Sequence, residues 1–447
     1  MGSNKYDIAV IGSGPGGFSA AVRAAQLGAK TVVIEKSFVG GTCLNCGCMS
    51  TKFLWQALKL KQKIQKSYEY GFNSKLEPIV FSDVINKKDK NISNIRKGME
   101  LVLSSYSIDV IKGTASFKDK NMLSVSNEGR HIDILADKII IALGTKPSSI
   151  KNFNFDGNKI INSTDALSLT KIPKTMLVIG GGAIGIEMAT IFSGFGCSVT
   201  LAECERQLLP NEDAEISEEV KKNLSRQGVE VLTSCTDSLD NISKYEKILI
   251  VTGRSPINDF GIDKIGVKTT VRGFVETNEF CQTNIGNIYA VGDIAGKNLL
   301  AYTAQNEGCI AAENAVKGNS LKINNKVILQ VVFSMPQSAS VKVVDFSNYK
   351  NVSLGKFPFT ASGRAFIEGE RAGFVKCAVD KITQKPLAFW LLGAHSDELI
   401  NTTSQILTNS ANHISRESFF HPSLSESLLN AYEDSLKKCT ELPKNVK

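Results

Sequence analysis

Two glycine-rich turns, each followed 23 positions later by a glutamate at a strand end, predict an α/β protein with two Rossmann-like dinucleotide-binding domains. The C-terminal part lacks these turns and alternates valine with lysine around residues 340–344, which predicts a further α+β domain. The chain has 447 residues, too many for a single hydrophobic core. We therefore expect two units of one kind followed by a third unit of another kind.

The first unit begins with the apolar residues 6–11, whose composition is typical of a buried strand. The tight turn that follows contains four glycines, of which Gly12, Gly14 and Gly17 have the spacing of the dinucleotide-binding pattern. An alanine-rich helix is predicted over 15–28, and a second strand over 31–35 ends at Glu35. In a dinucleotide-binding unit the glycines allow close backbone approach to pyrophosphate, the helix N-terminus faces its charge, and the acid holds the ribose hydroxyls of adenosine.

The second unit repeats this order, with a strand, a helix that ends near residue 195, and a strand over 198–203. Its turn glycines are Gly180, Gly182 and Gly185. A membrane span over 176–199 is an alternative, because Glu187 is the only charge there, but six glycines in this order argue against it. Glu203 would repel the 2′-phosphate of NADP, so the second unit is predicted to bind NAD. The alternative is that Glu203 is merely an exposed acid at a strand end.

Between these units lies a segment with three cysteines, Cys43, Cys46 and Cys48, followed by Lys52 one helical turn later. Cys43 and Cys48 can close a small ring, and a helix starting at this point would stabilise a thiolate on Cys48. In a reducing compartment such a disulfide is more plausibly a redox couple than a structural link. Zinc binding by the three thiolates is an alternative, although no second cysteine pair is present. Cys46 is interpreted as a small apolar residue, or alternatively as a resolving or regulatory thiol.

One of the four histidines, His421, has a carboxylate placed to orient it. Glu426, five positions later, could hold one ring nitrogen so that the other acts as a base. His395 and His413 have no such partner in the sequence. His421 is therefore the candidate base.

Composition limits the classes of function. Hydrophobic residues make up 42% and charged residues 21% of the chain, as in ordinary globular proteins. The formal charge of +8 comes from lysines spread over helical stretches, so no nucleic-acid partner and no membrane partner are expected. Ten scattered cysteines do not suggest a secreted disulfide framework. Because the first strand follows Met1 almost directly, no leader is expected and a cytoplasmic location is predicted.

Taken together, these motifs resemble the pyridine nucleotide-disulfide oxidoreductases, and among them the dihydrolipoamide dehydrogenases. The resemblance rests on the two nucleotide units, the Cys43/Cys48 pair with Lys52, and the phrase His421-Pro-Ser-Leu-Ser-Glu426. It runs almost end to end, and further matching segments are 140–144, 252–254, 288–293 and 299–304. The sequence departs from the usual family pattern at Cys46, Tyr302, 334–337 and 419–420.

The resemblance implies FAD and NAD as cofactors and a redox disulfide between Cys43 and Cys48. Its catalytic residues would be Cys43, Cys48, Lys52, Glu187, His421 and Glu426. In this scheme His421 takes a proton from a dithiol that attacks Cys43, and Lys52, paired with Glu187, lies near the flavin. The other implied cofactor contacts, beyond the turn glycines and their glutamates, are Gly144, Gly253, Asp293 and Ala301. No resident metal is expected.

The implied domains are an FAD-binding domain (1–148), an NAD-binding domain (149–270), a return to the FAD or central domain (271–323) and an interface or dimerisation domain (324–447). The implied activity is oxidation of dihydrolipoamide to lipoamide by NAD+, with a lipoyl domain of the E2 component of a 2-oxo acid dehydrogenase complex as partner. The protein would be a homodimer. Two alternatives are another NAD(P)H-linked disulfide or metal-ion reductase and a diverged FAD-binding protein without activity. Mercuric reductases use a C-terminal cysteine pair, whereas only Cys439 is present here.

Overall fold

The computed structural model describes residues 4–151, 153–235, 242–409 and 414–443. The strands are β1 (Asn4–Ile11), β2 (Thr31–Glu35), β3 (Asp109–Lys112), β4 (Thr114–Asp119), β5 (Met122–Asn127), β6 (Arg130–Ile141), β7 (Thr145–Pro147), β8 (Ile160–Ile161), β9 (Thr175–Ile179), β10 (Ser198–Ala202), β11 (Glu230–Leu232), β12 (Lys247–Ile250), β13 (Arg254–Pro256), β14 (Ile288–Ala290), β15 (Val327–Val332), β16 (Ser338–Val343), β17 (Val352–Pro358), β18 (Phe374–Asp380) and β19 (Pro386–Leu392). The α-helices are α1 (Pro15–Gln26), α2 (Gly41–Cys46), α3 (Cys48–Gln65), α4 (Phe81–Ser105), α5 (Ser163–Ala166), α6 (Ala183–Gly194), α7 (Ala214–Arg226), α8 (Ala301–Lys317), α9 (Gly363–Ile367), α10 (Ser396–Thr408) and α11 (Glu426–Ser435).

The first sheet has the strand order β3-β2-β1-β6-β5-β4, with β14 also paired to β6. Strands β1, β2, β3, β6 and β14 run parallel, while β4 and β5 form an antiparallel extension of β6. Helices α1 and α8 pack closely against each other, because the residues that face each other between them are alanines and glycines. A Cβ atom on Gly308 of α8 would lie 2.2 Å from the Gly16 carbonyl oxygen of α1. The chain thus returns to the first sheet after the second unit.

The second sheet is parallel throughout, in the order β11-β10-β9-β12-β8. Helix α6 is buried along most of its length, which explains its almost uninterrupted apolar sequence. It ends at Gly194 and β10 ends at Ala202, each one residue earlier than predicted. Among the described helices, none is long and apolar enough to cross a membrane.

The C-terminal unit is a five-stranded antiparallel sheet in the order β15-β16-β19-β18-β17, packed against α10 and α11. The predicted fold class, two Rossmann-like units plus an α+β domain, is confirmed. A single apolar core joins α3, the second sheet and the C-terminal sheet, and it includes Leu54, Phe192 and Trp390. Helix α3, which begins at the cysteine segment, is therefore fixed between units rather than exposed at a domain edge.

Candidate active site

Four turn glycines are required by the protein backbone itself. Gly12 and Gly180 have φ angles of +97° and +117°, a region that L-residues with side chains rarely adopt. A Cβ atom on Gly17 would lie 1.9 Å from the Gly12 carbonyl oxygen, and one on Gly185 would lie 1.8 Å from that of Gly180. The two units thus have equivalent turns, and these glycines allow each helix to pack tightly on its strand.

Gly14 and Gly182 differ from these four, since a Cβ atom on either would meet no protein atom within 4 Å. They are the N-cap residues of α1 and α6, and neither helix has a side-chain cap or an acidic residue in its first turn. The N-terminus of α8, at Ala301, likewise lacks both. Helix N-termini left open in this way suit the negative charge of a pyrophosphate or of a reduced flavin ring. The residues present therefore fit two dinucleotides.

The two strand-end glutamates occupy equivalent positions. Glu35 accepts hydrogen bonds from the backbone N–H of Ser13 at 3.0 Å and from its hydroxyl at 2.7 Å. Glu203 accepts one from the N–H of Gly181 at 2.6 Å and one from the N–H of Glu205 at 2.9 Å. Each carboxylate is thus fixed against the turn of its own unit, at the end of the second strand. This location is compatible with the predicted ribose contact, which stays a prediction.

Asp293 follows β14 and lies beside the segment that leaves the first sheet. The Thr145 hydroxyl donates to its carboxylate at 3.0 Å, and Arg254 Nε donates to that hydroxyl at 2.7 Å. Burial raises the pKa of Asp293. Gly144 and Gly253 flank this group, and a Cβ atom on either would meet no protein atom within 4 Å. Sequence reasoning singled out Asp293 and both glycines but missed Thr145, whose contacts arise only from the pairing of β7 with β13.

The cysteine segment folds back on itself at Gly47. Cys43 lies in the short helix α2, and Cys48 is the first residue of α3, as predicted. A Cβ atom on Gly47 would lie 2.8 Å from the Thr42 carbonyl oxygen and 3.3 Å from the Cys43 Cα, so a side chain there would push the two cysteines apart. Gly47 is thus a residue that sequence reasoning missed.

Cys43 and Cys48 are both thiols in this structure, and each shifts the pKa of the other. The hydrogen bond that Cys43 donates, helped by the charge of Lys52, lowers the pKa of Cys48 to about 7. The same interaction and burial raise the pKa of Cys43. The pair is therefore asymmetric: Cys48 holds the negative charge and Cys43 keeps the proton.

Lys52 is held by two contacts that come from different units. Its Nζ lies 3.0 Å from Glu187 Oε1 on α6 and 4.2 Å from the centre of the Phe333 ring, just after β15. The backbone N–H of Phe333 donates to the same Glu187 oxygen at 3.1 Å. The predicted Lys52–Glu187 pair is thus present, and Glu187 is nearly buried. The part played by Phe333 could not be found from its sequence position alone.

His421 lies far along the chain, in the C-terminal unit. Its Nδ1 is 2.9 Å from Glu426 Oε1, and the other Glu426 oxygen accepts from the N–H of Ser423 at 2.8 Å. The His421 side chain is 81% exposed. Among the described residues, no hydrogen bond or ion pair connects it to the cysteine segment. One chain therefore orients the imidazole as predicted without delivering it to Cys43.

The other histidines and cysteines among the described residues add no metal site. His395 lies 3.4 Å from Glu368, and His413 lies outside the described residues. In the part of the chain that the structure describes, no group of three or more His, Cys, Asp or Glu side chains is arranged to hold a metal ion. The three cysteines of the segment are thus not arranged as a zinc site.

Comparison with known proteins agrees with this geometry. The sequence model of the pyridine nucleotide-disulphide oxidoreductase family matches residues 6–308, and that of the family's dimerisation domain matches residues 328–432. The chain belongs to this family. Membership confirms the expected cofactors, FAD and NAD, and the dimerisation domain supports a homodimer.

Several relatives are similar over almost their whole length. The chain is 32% identical to a dihydrolipoyl dehydrogenase of Bacillus subtilis over 460 residues, covering 95% of this chain and 97% of the relative. It is 34% identical to the dihydrolipoyl dehydrogenase of Geobacillus stearothermophilus, covering 96% and 95%. Among solved structures, the Cu(II) complex of the HOCl-induced flavoprotein disulfide reductase RclA of Escherichia coli superposes with a TM-score of 0.86 at 26% identity, covering 96% and 99%.

Proposed function

We propose that this protein oxidises dihydrolipoamide to lipoamide, with NAD+ as the final electron acceptor. The observation that carries the proposal is the asymmetric Cys43/Cys48 pair beside the Lys52–Glu187 ion pair, in a chain whose full-length relatives are dihydrolipoyl dehydrogenases. A lipoyl domain of the E2 component of a 2-oxo acid dehydrogenase complex is the proposed donor of the dithiol. A cytoplasmic location remains a prediction from the sequence.

The first half-reaction is a thiol–disulfide exchange. With the Cys43–Cys48 bond closed, one substrate thiol loses a proton to His421, and its sulfur attacks Cys43 Sγ. The bond to Cys48 breaks, and Cys48 leaves as a thiolate, which its lowered pKa favours. The second substrate thiol then attacks the first substrate sulfur and gives its proton to the departing Cys43 sulfur. Cys43 is released as a thiol and lipoamide as a cyclic disulfide, and the proton held by His421 passes to solvent. The substrate loses two electrons and the cysteine pair gains them.

The second half-reaction returns the cysteine pair to its disulfide. FAD, when bound, would supply the two-electron redox chemistry that links the cysteine dithiol to NAD+. The open N-termini of α1 and α6 would hold the two pyrophosphates, and Asp293 would hold the ribityl chain. Lys52, fixed by Glu187 and Phe333, supplies a positive charge beside the thiolate. Its position is compatible with the predicted place near the flavin.

The base is proposed to come from the partner subunit. His421 is oriented by Glu426 but is exposed in a single chain, and Phe420 next to it is 76% exposed. In a homodimer, the segment that contains Phe420 and His421 would enter the active site of the other subunit. Both side chains would then be covered, and the imidazole would reach Cys43 of that other subunit. The active site would then contain groups of two chains.

A second candidate function is the reverse use of the same site, as an NADH-dependent reductase of disulfides or metal ions. The similarity to RclA, solved as a Cu(II) complex, favours this reading. The copper ion would be a substrate and not a resident cofactor.

The test is an assay of the purified, FAD-loaded protein. We expect NADH formation from NAD+ with free dihydrolipoamide and with a reduced lipoyl domain, and none with the Cys43→Ser variant. Flavin-loaded protein with intact thiols that forms no NADH from either substrate would refute the proposal. If the same preparation reduces Cu(II) with NADH, the second candidate function is favoured. If it neither forms NADH from dihydrolipoamide nor reduces Cu(II), the hypothesis of a non-enzymatic flavoprotein gains support.

A further inference from the structure

Helix α2 carries Cys43. One arginine side chain contacts both the segment that leads into this helix and a residue near its end. Two glycines with positive φ angles, Gly40 at +97° and Gly41 at +57°, precede or begin this six-residue helix. Such a short element behind two glycines has little intrinsic stability, so contacts with neighbours must hold it. Arg96 of α4 supplies two of these contacts, and the Gly40 N–H supplies another by donating to the Ser13 carbonyl oxygen at 3.1 Å.

Asn45 closes α2 onto its own beginning. Its side-chain amide donates to the carbonyl oxygens of Val39 at 3.0 Å and Gly41 at 2.9 Å. Because both of these bonds use the amide nitrogen, the side-chain oxygen is left to accept from another group. Arg96 Nε fills this role, donating to Asn45 Oδ1 at 2.9 Å.

Arg96 also holds the residue that leads into α2. The centre of its guanidinium group lies 4.0 Å from the centre of the Phe38 ring, a cation–π stack. The planar group thus stacks on Phe38 while one of its edges binds Asn45, so it contacts the chain before α2 and within it. Lysine has no planar group that could do both.

The anchor of this arrangement is a long helix that also packs on α3. Helix α4 spans 25 residues, and its Phe81 and Ile85 share a buried cluster with Leu54 and Trp55 of α3. Helix α3 begins at Cys48, so α4 holds the elements of both cysteines: α3 through apolar packing and α2 through Arg96. Arg96 is therefore a link between α4 and the helix that carries Cys43.

We propose that Arg96 is a positioning residue for the thiol chemistry, which holds the helix of Cys43 in place beside Cys48 by fixing Asn45 and Phe38. This inference rests on the proposed function only in supposing that the cysteine pair reacts. Thiol reactivity can be measured without dihydrolipoamide, so the two proposals can fail separately. Arg96 does not itself contact the reacting sulfurs.

The experiment measures alkylation of Cys48 by iodoacetamide against pH in the dithiol form of the FAD-loaded protein, with the modified residue located by mass spectrometry. In Arg96→Ala the hydrogen bond from Cys43 weakens, so we expect the pH midpoint to rise by at least about half a unit. We also expect kcat to fall about tenfold while the KM for NAD+ stays unchanged. Arg96→Lys should lie between Arg96→Ala and the wild type.

Two controls separate positioning from other effects. Lys97 is the next residue of α4 and is exposed, so Lys97→Ala removes an equal charge without the contacts and should leave the midpoint unchanged. Because Arg96 acts in part through Asn45, the shift caused by Arg96→Ala should be smaller in an Asn45→Ala background than in the wild type. The thermal midpoint and bound FAD verify that each variant is folded, and Arg96→Lys provides the test if Arg96→Ala does not fold.

An unchanged midpoint in both Arg96 variants, equal shifts in Arg96→Ala and Lys97→Ala, or additive effects of the Arg96 and Asn45 substitutions would overturn the proposal. A shifted midpoint in a protein that does not oxidise dihydrolipoamide would support the positioning role and refute the proposed function.

Discussion

Replacing Gly182 with alanine tests whether a ligand, and not the fold, requires glycine at the N-terminus of α6. The backbone at Gly182 has φ −77° and ψ −175°, which any residue adopts, and the added Cβ would meet no protein atom within 4 Å. Alanine is a poorer N-cap than glycine, so we expect a loss of less than about 1 kcal/mol in the free energy of unfolding. The protein should fold and keep FAD.

NAD binding should weaken much more than stability. The added methyl group would stand in the space through which the pyrophosphate reaches the first-turn N–H groups of α6. A hydrogen bond to a charged group contributes about 1.5–3 kcal/mol, so losing one such bond predicts about ten- to 150-fold weaker binding. The assay is a titration of the FAD-loaded protein with NADH, followed by flavin fluorescence, together with thermal unfolding.

Gly185→Ala is the matched comparison, because it adds the same methyl group three residues later. There the Cβ would lie 1.8 Å from the Gly180 carbonyl oxygen, so the backbone must shift. We expect destabilisation of about 3 kcal/mol or more. Two results would contradict this prediction: an affinity of Gly182→Ala for NADH within twofold of the wild-type affinity, or a loss of free energy of unfolding as large as that of Gly185→Ala.

Four further predictions follow from the site. Cys43→Ser and Cys48→Ser should each abolish NADH formation while FAD stays bound, whereas Cys46→Val should remain active; an inactive Cys46→Val with the other two active would contradict this. The kcat/KM with NAD should be far higher than with NADP, because the Glu203 carboxylate repels a 2′-phosphate, and Glu203→Arg should reduce this difference. Equal kcat/KM values of the wild type with NAD and NADP would argue against repulsion by Glu203. If His421 acts in the partner's active site, a verified heterodimer of Cys48→Ser and His421→Ala subunits has one site with both defects and one site with neither. Up to half of the wild-type activity should then return, and no recovery would show that the base and the disulfide act within one chain. In the dithiol form, alkylation of Cys48 should be half-maximal near pH 7, because only the thiolate reacts and the thiol is protonated below its pKa; a midpoint near the ordinary value of about 8.5 would show that Cys43 does not stabilise the thiolate.

Features governed by local backbone geometry could be predicted from the sequence. The equal spacing from Gly12 to Glu35 and from Gly180 to Glu203 identified two equivalent turns, because Gly17 and Gly185 each pack against the carbonyl oxygen of a glycine five positions earlier in the chain. The proximity of Cys43 to Cys48 was predictable for the same reason, since a few residues separate them.

Predictions that relied on family motifs reached further. The Lys52–Glu187 contact joins residues 135 positions apart, and only the shared motifs suggested it. His421 was correctly placed beside Glu426, which is five positions away. The domain limits at 148, 270 and 323, and the roles of the individual site residues, stay predictions.

The sequence by itself thus determined the fold class, the family and the chemical groups of the site, because these depend on residue types at short, fixed spacings. Only the tertiary structure decided how the groups are held. Arg96 reaches Asn45 across 51 positions, and Phe333 reaches Glu187 across 146. Neither side chain carries a local signal, because its contacts arise only where separate elements pack together. The positions of the thiol pair and of Lys52 therefore depend on packing between elements that are far apart in the sequence.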